Sequence, residues 1–375
     1  MSALALRASA WSWRLPLAAP FPVGRKSIDE RSGFLIRLED SEGHHGYGEV
    51  APLPGFSAED PADVARELPH ILARLERFPL ADFDSFPRLD LAPGAIRLAL
   101  ECALVQWAAA KRGLAPQALL GGGGAWAGGI PVAVLLQAGQ REFGERLMGR
   151  MGEGYRNFKI KIGGDSETEQ RAIRELAPRI HEYMAEATDL GPPRFRIDAN
   201  RSINPEELAG WKNVLQQAGL LVDFFEEPTP TFPEEIPLEI PLAMDETLLD
   251  AVRTDSWGKY VPAGVRALVV KPSCFPSIEK LDALCRFARD RHIDLVASSA
   301  LDTDLGVAAW LPVVLAWFHR GGRLPALGLD PLRWFREGLL GEETPRIAPL
   351  MEIRDFAIHP AALRQNVLKP VYPAA

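Results

Sequence analysis

The stretch FKIKIGG, Phe158–Gly164, alternates apolar and basic residues and ends in two glycines. Alternation over a short run is typical of a β-strand. An amphipathic stretch, Glu167–Met184, follows it, and the next β-rich run is Arg194–Ala199. A strand, a helix and a second strand in this order predict a β–α–β unit, the building block of a parallel sheet.

The same rhythm continues on both sides of this unit. Amphipathic stretches separate most of the β-rich runs, and eight such runs can be placed: Ile130–Leu136, Phe158–Ile162, Arg194–Ala199, Val222–Glu226, Leu242–Asp245, Ala267–Lys271, Asp294–Ser298 and Pro325–Leu329. Eight strands with helices between most of them favour the α/β class and a closed (β/α)8 barrel of the TIM type.

The N-terminal part of the chain has a different pattern. Residues 4–15, Gly33–Glu39 and Gly46–Val50 read as strands of a small antiparallel sheet, and Pro61–Phe78 and Ala95–Lys111 carry apolar residues at helical spacing. Strands followed by helices predict an α+β module, which we expect to cap the barrel.

A glycine-rich stretch, Gly121–Gly129, marks the passage between the two modules. We therefore predict a capping domain over residues 1–122 and a barrel over residues 123–343. The tail, residues 344–375, contains a further short alternating run and is expected to return to the capping domain.

Composition limits the function classes. The net charge of −8 argues against a nucleic-acid surface, and the three cysteines follow no zinc-binding spacing, which fits a reducing compartment. The N-terminus has no clean signal-peptide core, and no apolar run is long enough to span a bilayer. We expect a cytoplasmic protein that has no membrane association and needs no obligatory protein partner.

Charged residues mark the ends of five successive barrel strands. In chain order they are Lys159 and Lys161, Asp198, Glu226, Asp245 and Lys271. Active sites of such barrels lie at the carboxyl ends of the strands, so these side chains are expected to meet at the barrel mouth. A single charge at a strand end has little meaning. Acids in the middle with lysines on both flanks, on five strands in order, indicate a catalytic site.

Three carboxylates, those of Asp198, Glu226 and Asp245, form a hard-oxygen ligand set for Mg²⁺, with Mn²⁺ able to replace it. A cation would relieve their mutual repulsion and stabilise negative charge on a bound substrate carboxylate. The predicted substrate is therefore a small carboxylate that loses the proton on its α-carbon.

The two lysines of the second strand lie on one face, at a separation of roughly 6.5–7 Å. Their repulsion of about 2.5 kcal/mol is expected to lower the pKa of one of them toward the range that a general base needs. We assign this role to Lys161, which is nearer the carboxyl end of the strand, and we place Lys271 on the opposite side of the substrate.

These residues resemble the enolase superfamily, in its muconate-lactonising-enzyme-like group, over nearly the whole chain. The resemblance implies Mg²⁺ bound by Asp198, Glu226 and Asp245, with Lys161 and Lys271 as the acid–base pair. It also implies that the capping module closes over the substrate.

A narrower resemblance is to the o-succinylbenzoate synthase family. The resemblance rests on four segments: GEVAPLPGFS (Gly48–Ser57), RIDANRSI around Asp198, FFEEP around Glu226 and ASSALDTDLG (Ala297–Gly306). This resemblance implies Mg²⁺-dependent syn-dehydration of 2-succinyl-6-hydroxy-2,4-cyclohexadiene-1-carboxylate to o-succinylbenzoate in menaquinone biosynthesis, through an enediolate intermediate.

Further residues are expected around the substrate or behind the catalytic groups. The capping loop contributes Gly55 and Phe56, and the end of the seventh strand contributes Ser298 and Ser299. Lys159, Arg196 and Asn200 share a face with the catalytic lysine or with Asp198, because each lies two residues away from it.

Other functions remain open on sequence alone. An N-succinylamino acid racemase or a dipeptide epimerase would use the same machinery. Dipeptide epimerases of the group tend to carry Asp-x-Asp after the eighth strand, where this chain has one aspartate, Asp330. A Schiff-base aldolase would use a single barrel lysine without metal. A non-catalytic barrel is disfavoured, because all five strand ends keep their charged groups.

Overall fold

The computed structural model describes residues 6–23, 26–54, 56–77, 92–121, 128–187, 191–233, 240–254, 256–319, 324–341 and 346–372. Within these ranges, no helix combines the length and the apolar character that crossing a bilayer would require. The predicted domain boundaries at residues 122–123 and 343–344 fall outside the described residues and stay predictions.

Strands and helices alternate along most of the second half of the chain. The strands are β1 Arg7–Val23, β2 Lys26–Glu39, β3 His45–Val50, β4 Ile130–Pro131, β5 Ala133–Gln137, β6 Asn157–Lys161, β7 Arg194–Asp198, β8 Leu221–Glu226, β9 Leu242–Met244, β10 Ala267–Val270, β11 Asp294–Ala297, β12 Leu350–Met351 and β13 Leu368–Tyr372. The helices are α1 Pro61–Leu75, α2 Gly94–Arg112, α3 Pro116–Leu119, α4 Phe143–Gly152, α5 Ser166–Glu186, α6 Pro205–Gln217, α7 Glu246–Arg253, α8 Trp257–Tyr260, α9 Ile278–Asp290 and α10 Asp304–His319.

The first three strands and the last one form an antiparallel sheet in the order β13-β1-β2-β3. Helix α2 packs closely on β3 because Gly46 and Gly48 have no side chain. A Cβ atom on Gly48 would lie 2.0 Å from the carbonyl oxygen of Ala99, which is closer than any real contact. The predicted α+β cap is therefore present, and the C-terminal tail supplies one of its strands.

Seven parallel strands, β5 to β11, form the second sheet in sequence order. The predicted eighth strand, Pro325–Leu329, is reduced to two parallel bridges, Val132 with Leu327 and Ser298 with Gly328. Backbone hydrogen bonds still close the ring: the amide of Ala133 donates to Leu327 (2.9 Å) and the amide of Gly328 donates to Ala297 (2.9 Å). The predicted barrel is confirmed. A short irregular segment takes the position of its eighth strand.

The first predicted strand, Ile130–Leu136, is wrong as a single element. It divides into β4, which pairs with β12 from the tail, and β5, which joins the barrel. Both pieces belong to the same apolar run, so the local pattern does not reveal that two different partners divide it.

Strand alternation separates the outer core from the barrel interior. Phe158 on β6 and Phe195 on β7 point outward and stack with ring centres 5.7 Å apart. The opposite face of the sheet encloses a small apolar cluster inside the barrel, formed by Phe224, Ala243, Ala267, Val269 and Val296. Polar residues of the same inward rows continue above this cluster, toward the carboxyl ends of the strands.

Candidate active site

The register of the parallel sheet aligns three functional side chains. Lys161 on β6 pairs with Asp198 on β7, and Asp198 pairs with Glu226 on β8. Because each is the last residue of its strand, all three lie at the same height at the carboxyl end of the barrel. They line a cavity of about 840 Å³ together with Lys159, Asp245 and Lys271.

Lys159 lies between two of the carboxylates. Its Nζ atom is 2.9 Å from Asp198 Oδ2 and 2.6 Å from Glu226 Oε1. Burial opposes the charge of this ammonium group, but Asp198 and Glu226 outweigh it and hold the pKa of Lys159 above its usual value. The neighbouring carboxylates therefore govern the pKa of Lys159.

The third carboxylate, Asp245, follows β9 and contacts the ammonium group of Lys271. Lys271 continues the inward row of Ala267 and Val269 on β10. Burial disfavours the charge of Lys271, but Asp245 raises its pKa above the ordinary value. The two flanking lysines of the predicted site, Lys161 and Lys271, thus enter the same cavity from strands on different sides of the carboxylates.

The three acids have the chemistry of a cation site. Their exposed fractions are 1% for Asp198, 1% for Glu226 and 3% for Asp245. Burial raises the pKa of Glu226 well above its usual value, and the charges of Asp198 and Asp245 add to that effect. Three buried carboxylates, one of which resists ionisation because of the other two, fit a bound divalent cation that would offset their repulsion.

The two glutamates next to these acids behave differently. Glu227 points away from the cavity: it accepts hydrogen bonds from the backbone amides of Asp245 and Thr247, both at 2.8 Å, and from Arg201 Nε at 3.0 Å. Strand alternation alone would direct Glu246 away from the cavity as well, but the structure differs. Glu246 lines the cavity, because α7 begins at this residue and interrupts the strand alternation. Burial and the nearby Asp245 raise the pKa of Glu246 to about 7.

Arg196 and Asn200 flank Asp198 at different depths. Arg196 is buried lower in the barrel, where its Nη1 atom donates to the carbonyl of Ala326 at 2.8 Å. Asn200 lies at the rim with a left-handed backbone (φ 43°), and its backbone amide donates to Asp198 Oδ1 at 3.0 Å. Both residues line the cavity. Their contacts with a substrate stay predictions.

Ser298 and Ser299 line the cavity on its far side. Ser298 requires the glycine at position 328, since a Cβ there would lie 2.4 Å from Ser298 Oγ. Ser299 Oγ is held by Asp302: it accepts from the Asp302 amide at 2.9 Å and lies 3.2 Å from Asp302 Oδ2.

The cap contributes an apolar wall. Leu53 and Phe56 come from the capping loop, and Phe21, Pro22 and Val23 come from the end of β1. The Lys271 ammonium lies 4.4 Å from the centre of the Phe56 ring. Gly55, the other predicted cap residue, lies outside the described residues.

Within the described residues, one group of potential metal ligands has its ligand atoms close together, and it lies outside the cavity. Asp40, Glu42 and His44 place potential ligand atoms within 4.8 Å of one another, in the turn between β2 and β3. Both oxygens of Asp40 already accept hydrogen bonds, including one from Trp107 Nε1 at 3.1 Å. These bonds fix the turn against α2, so they account for the arrangement without a cation.

Some residues around the cavity were not anticipated from sequence. Glu246 is one, and Arg253 is another, since its guanidinium donates to the carbonyl of Phe56 in the capping loop. Arg253 belongs to α7 of the barrel, so no local pattern connects it with the cap. A helix start directly after Asp245 is the signal that could have identified Glu246.

Two family models match the chain. Residues 6–105 match the model described as "MenC, N-terminal domain". Residues 142–338, more than half of the chain, match the model described as "Enolase C-terminal domain-like". The chain belongs to the enolase superfamily. Its two matched segments correspond to the cap and to most of the barrel.

Two curated relatives of this enolase-superfamily protein are o-succinylbenzoate synthases. An o-succinylbenzoate synthase of Pasteurella multocida (strain Pm70) is 28% identical over 306 residues, which cover 79% of this chain and 82% of the relative. An o-succinylbenzoate synthase of Vibrio cholerae serotype O1 (strain M66-2) is 25% identical and covers 90% and 92%.

Solved structures with the same fold have several activities. A dipeptide epimerase from Methylococcus capsulatus, complexed with Mg and a dipeptide, has TM-score 0.72 and 24% identity, covering 89% of this chain and 92% of its own. An N-succinyl Arg/Lys racemase from Bacillus cereus has TM-score 0.72 and 17% identity, covering 98% and 94%. The o-succinylbenzoate synthase from Thermosynechococcus elongatus, with Mg in its active site, has TM-score 0.60 and 21% identity, covering 90% and 96%. Muconate lactonising enzymes share the fold as well.

Proposed function

We propose that the protein is an o-succinylbenzoate synthase: a lyase that removes water from 2-succinyl-6-hydroxy-2,4-cyclohexadiene-1-carboxylate and serves menaquinone biosynthesis. The observation that carries the proposal is the alignment of Lys161, Asp198 and Glu226 at the ends of adjacent strands. The names of the curated relatives support this choice of reaction.

Asp198, Glu226 and Asp245 would hold the cation, which we propose to be Mg²⁺. When bound, it supplies a positive charge that stabilises a substrate carboxylate as negative charge accumulates there. The Asp198 backbone position is fixed by β7, and Glu227 fixes the backbone at Asp245 by accepting from its amide at 2.8 Å.

Lys161 is the proposed base. Its amine takes the proton from the carbon next to the substrate carboxylate, and the resulting ammonium returns a proton to the departing hydroxide, which leaves as water. One lysine can do both because a syn elimination removes proton and hydroxide from the same face. Lys271, held cationic by Asp245, stabilises the charge that develops on the opposite side.

The two sides of the cavity suit the two parts of this substrate. The apolar cap residues Leu53 and Phe56 can cover the ring, and the hydroxyl groups of Ser298 and Ser299 can meet polar atoms of the side chain.

A racemase of N-succinylamino acids is the second candidate, because Lys161 and Lys271 both enter the cavity and could act on opposite faces of one carbon. A dipeptide epimerase fits less well. A dipeptide presents an α-ammonium group, and the carboxylate of Asp330, after the eighth strand segment, is engaged by the Leu135 amide (3.1 Å) and by Arg333 Nε (2.7 Å). A Schiff-base aldolase fits less well too, because it would leave the buried carboxylates of Asp198, Glu226 and Asp245 without a role.

The test is formation of o-succinylbenzoate by the purified protein after treatment with EDTA and after addition of Mg²⁺. We expect no turnover without the cation and full recovery with it. Incubation with an N-succinylamino acid in D2O, followed by NMR, tests the second candidate. Deuteration and racemisation at a rate above that of dehydration would replace the proposed function by the racemase.

A further inference from the structure

Arg31 lies behind the cavity at the junction of the cap and the barrel. It belongs to β2, and only 2% of its surface is exposed. Its guanidinium donates three hydrogen bonds, all to backbone carbonyls: Nε to Leu301 at 3.1 Å, Nη1 to Pro52 at 2.9 Å and Nη2 to Ala51 at 2.6 Å. One side chain therefore joins two chain segments that are far apart in sequence.

Both segments form walls of the cavity. Ala51 and Pro52 begin the capping loop, residues 51–57, whose members Leu53 and Phe56 face the cavity. Leu301 belongs to the barrel loop, residues 298–302, which follows β11 and contributes Ser298 and Ser299. The guanidinium group of Arg31 thus connects the two walls directly.

The local structure of each segment connects the residues that Arg31 contacts with the residues that line the cavity. In the capping loop, the amides of Phe56 and Ser57 both donate to the carbonyl of Leu53, at 2.9 Å and 2.8 Å. These bonds connect Phe56, which lines the cavity, to the part of the loop that Arg31 holds. In the barrel loop, Leu301 has a left-handed backbone (φ 62°), which costs energy for a branched side chain and needs support from its surroundings.

Two buried acids near Arg31 favour its positive charge, but neither replaces the backbone carbonyls as its hydrogen-bond partner. Burial lowers the pKa of Arg31, while the nearby carboxylates of Asp302 and Glu49 oppose that effect. These two acids have other hydrogen-bond partners: Asp302 accepts from Ala300 N at 3.1 Å, and Glu49 accepts from Thr303 N at 3.1 Å. The planar fork of the guanidinium remains directed at the two loops, a geometry that a lysine cannot reproduce.

We propose that Arg31 is a positioning residue that fixes the capping loop to the barrel loop and so determines how tightly the cavity closes over its ligand. Arg31 does not line the cavity itself, so it acts through Phe56 and through the serines of the barrel loop. The kinetic part of the test rests on the proposed function, whereas the exchange part does not.

Hydrogen–deuterium exchange of the ligand-free protein tests the fixation directly. In Arg31→Lys we expect at least tenfold faster exchange in peptides covering both loops, residues 51–57 and 298–302, with unchanged exchange in β6 to β8. The matched control is Arg37→Lys on the same strand, whose guanidinium donates to Glu39 at 2.6 Å and contacts neither loop. We expect the control to exchange like the wild type in both loops.

Steady-state kinetics tests the consequence for the ligand. In Arg31→Lys we expect KM for the dehydration substrate to rise about tenfold, the effect of losing one hydrogen bond from a charged donor, and kcat to fall by less than threefold. The split is expected because Lys161 and Lys271 stand on strands that Arg31 does not touch. In Arg37→Lys both constants should stay at the wild-type values.

The outcomes separate the two proposals. Faster exchange in both loops supports the role of Arg31 even if the wild type performs no dehydration, which would contradict only the proposed function. Unchanged exchange, or faster exchange in one loop alone, would overturn the role of Arg31. A tenfold fall in kcat with an unchanged KM would overturn it as well. If Arg31→Lys does not fold, Arg31→Gln replaces it, and global unfolding of both variants would show a purely structural residue.

Discussion

The ammonium group of Lys271, on the barrel, lies 4.4 Å from the centre of the Phe56 ring, on the cap. The face of an aromatic ring attracts a cation, so this contact supports the charged form of Lys271 and holds the capping loop over the site. It also makes the chemistry of the barrel depend on the position of the cap.

Replacing Phe56 by leucine keeps apolar bulk but removes the ring. We expect kcat/KM for dehydration to fall about tenfold, which corresponds to roughly 1.4 kcal/mol of cation–π stabilisation at a buried site. Phe56→Tyr keeps the ring and is the control, expected within threefold of the wild type. A leucine variant as active as the tyrosine variant would contradict a role for the ring.

Replacing Lys161 by alanine removes the proposed base. We expect kcat to fall by about 10²–10⁴-fold, the usual contribution of general acid–base catalysis. Calorimetric titration should show Mg²⁺ binding within a few-fold of the wild type, because the carboxylates remain. Retained turnover would move the role of base to another group, and lost Mg²⁺ binding would show that Lys161 organises the metal site instead.

The adjacent glutamates at the end of β8 give a matched pair of variants. In Glu226→Gln we expect Mg²⁺ affinity to fall at least about tenfold, since a ligand charge is lost. In Glu227→Gln we expect the free energy of unfolding to fall by about 1.5–3 kcal/mol, because hydrogen bonds to a buried charged group are weakened. Urea denaturation and calorimetric titration distinguish these effects, and the reverse pattern would exchange the two roles.

The buried carboxyl of Glu49 predicts a pH dependence of stability. Burial and the neighbouring Asp302 raise the pKa of Glu49 from 4.5 to about 8, although Thr303 and Arg31 favour its charged form. A raised carboxyl pKa means that the folded state binds the proton more tightly. Its stabilising contribution is complete below about pH 4.5 and is lost as the pH rises toward 8.

Urea denaturation at several pH values between 5 and 8 measures this effect. For the wild type, Glu49 contributes a decline of at most about 1.4 kcal/mol per pH unit. In Glu49→Gln that contribution disappears, and the free energy of unfolding should change less with pH. An unchanged pH dependence would mean that Glu49 ionises normally in the folded protein.

The close packing of β3 on α2 is tested at Gly48. A methyl group there would overlap the carbonyl of Ala99, so Gly48→Ala should lower the free energy of unfolding by about 1–3 kcal/mol or more. The control is Gly149→Ala in α4, where nothing lies within 4 Å of the added Cβ. That change should be neutral or stabilise the protein by up to about 1 kcal/mol.

The fold was predictable because its signals are local and repeated. Alternation in FKIKIGG and in the runs that follow it determines which side chains face inward, and helix signals such as the Asn204–Glu207 capping box separate the strands. The eighth strand and the division of the first run into β4 and β5 were not predictable. Both depend on which distant backbone is available as a partner, namely Gly328 beside Ser298 and β12 beside β4.

The candidate site divides in the same way. Sequence alone determined its composition: lysines and carboxylates at consecutive strand ends must share one rim, because parallel strands in register end at the same height. The tertiary structure decided the partners. It placed Lys159 between Asp198 and Glu226, turned Glu246 into the cavity at a helix start, and brought Phe56, Arg31 and Arg253 to the site from elements with no local relation to it. Periodicity constrains a residue relative to its own strand, whereas burial and charge pairing act between strands that only the folded chain brings together.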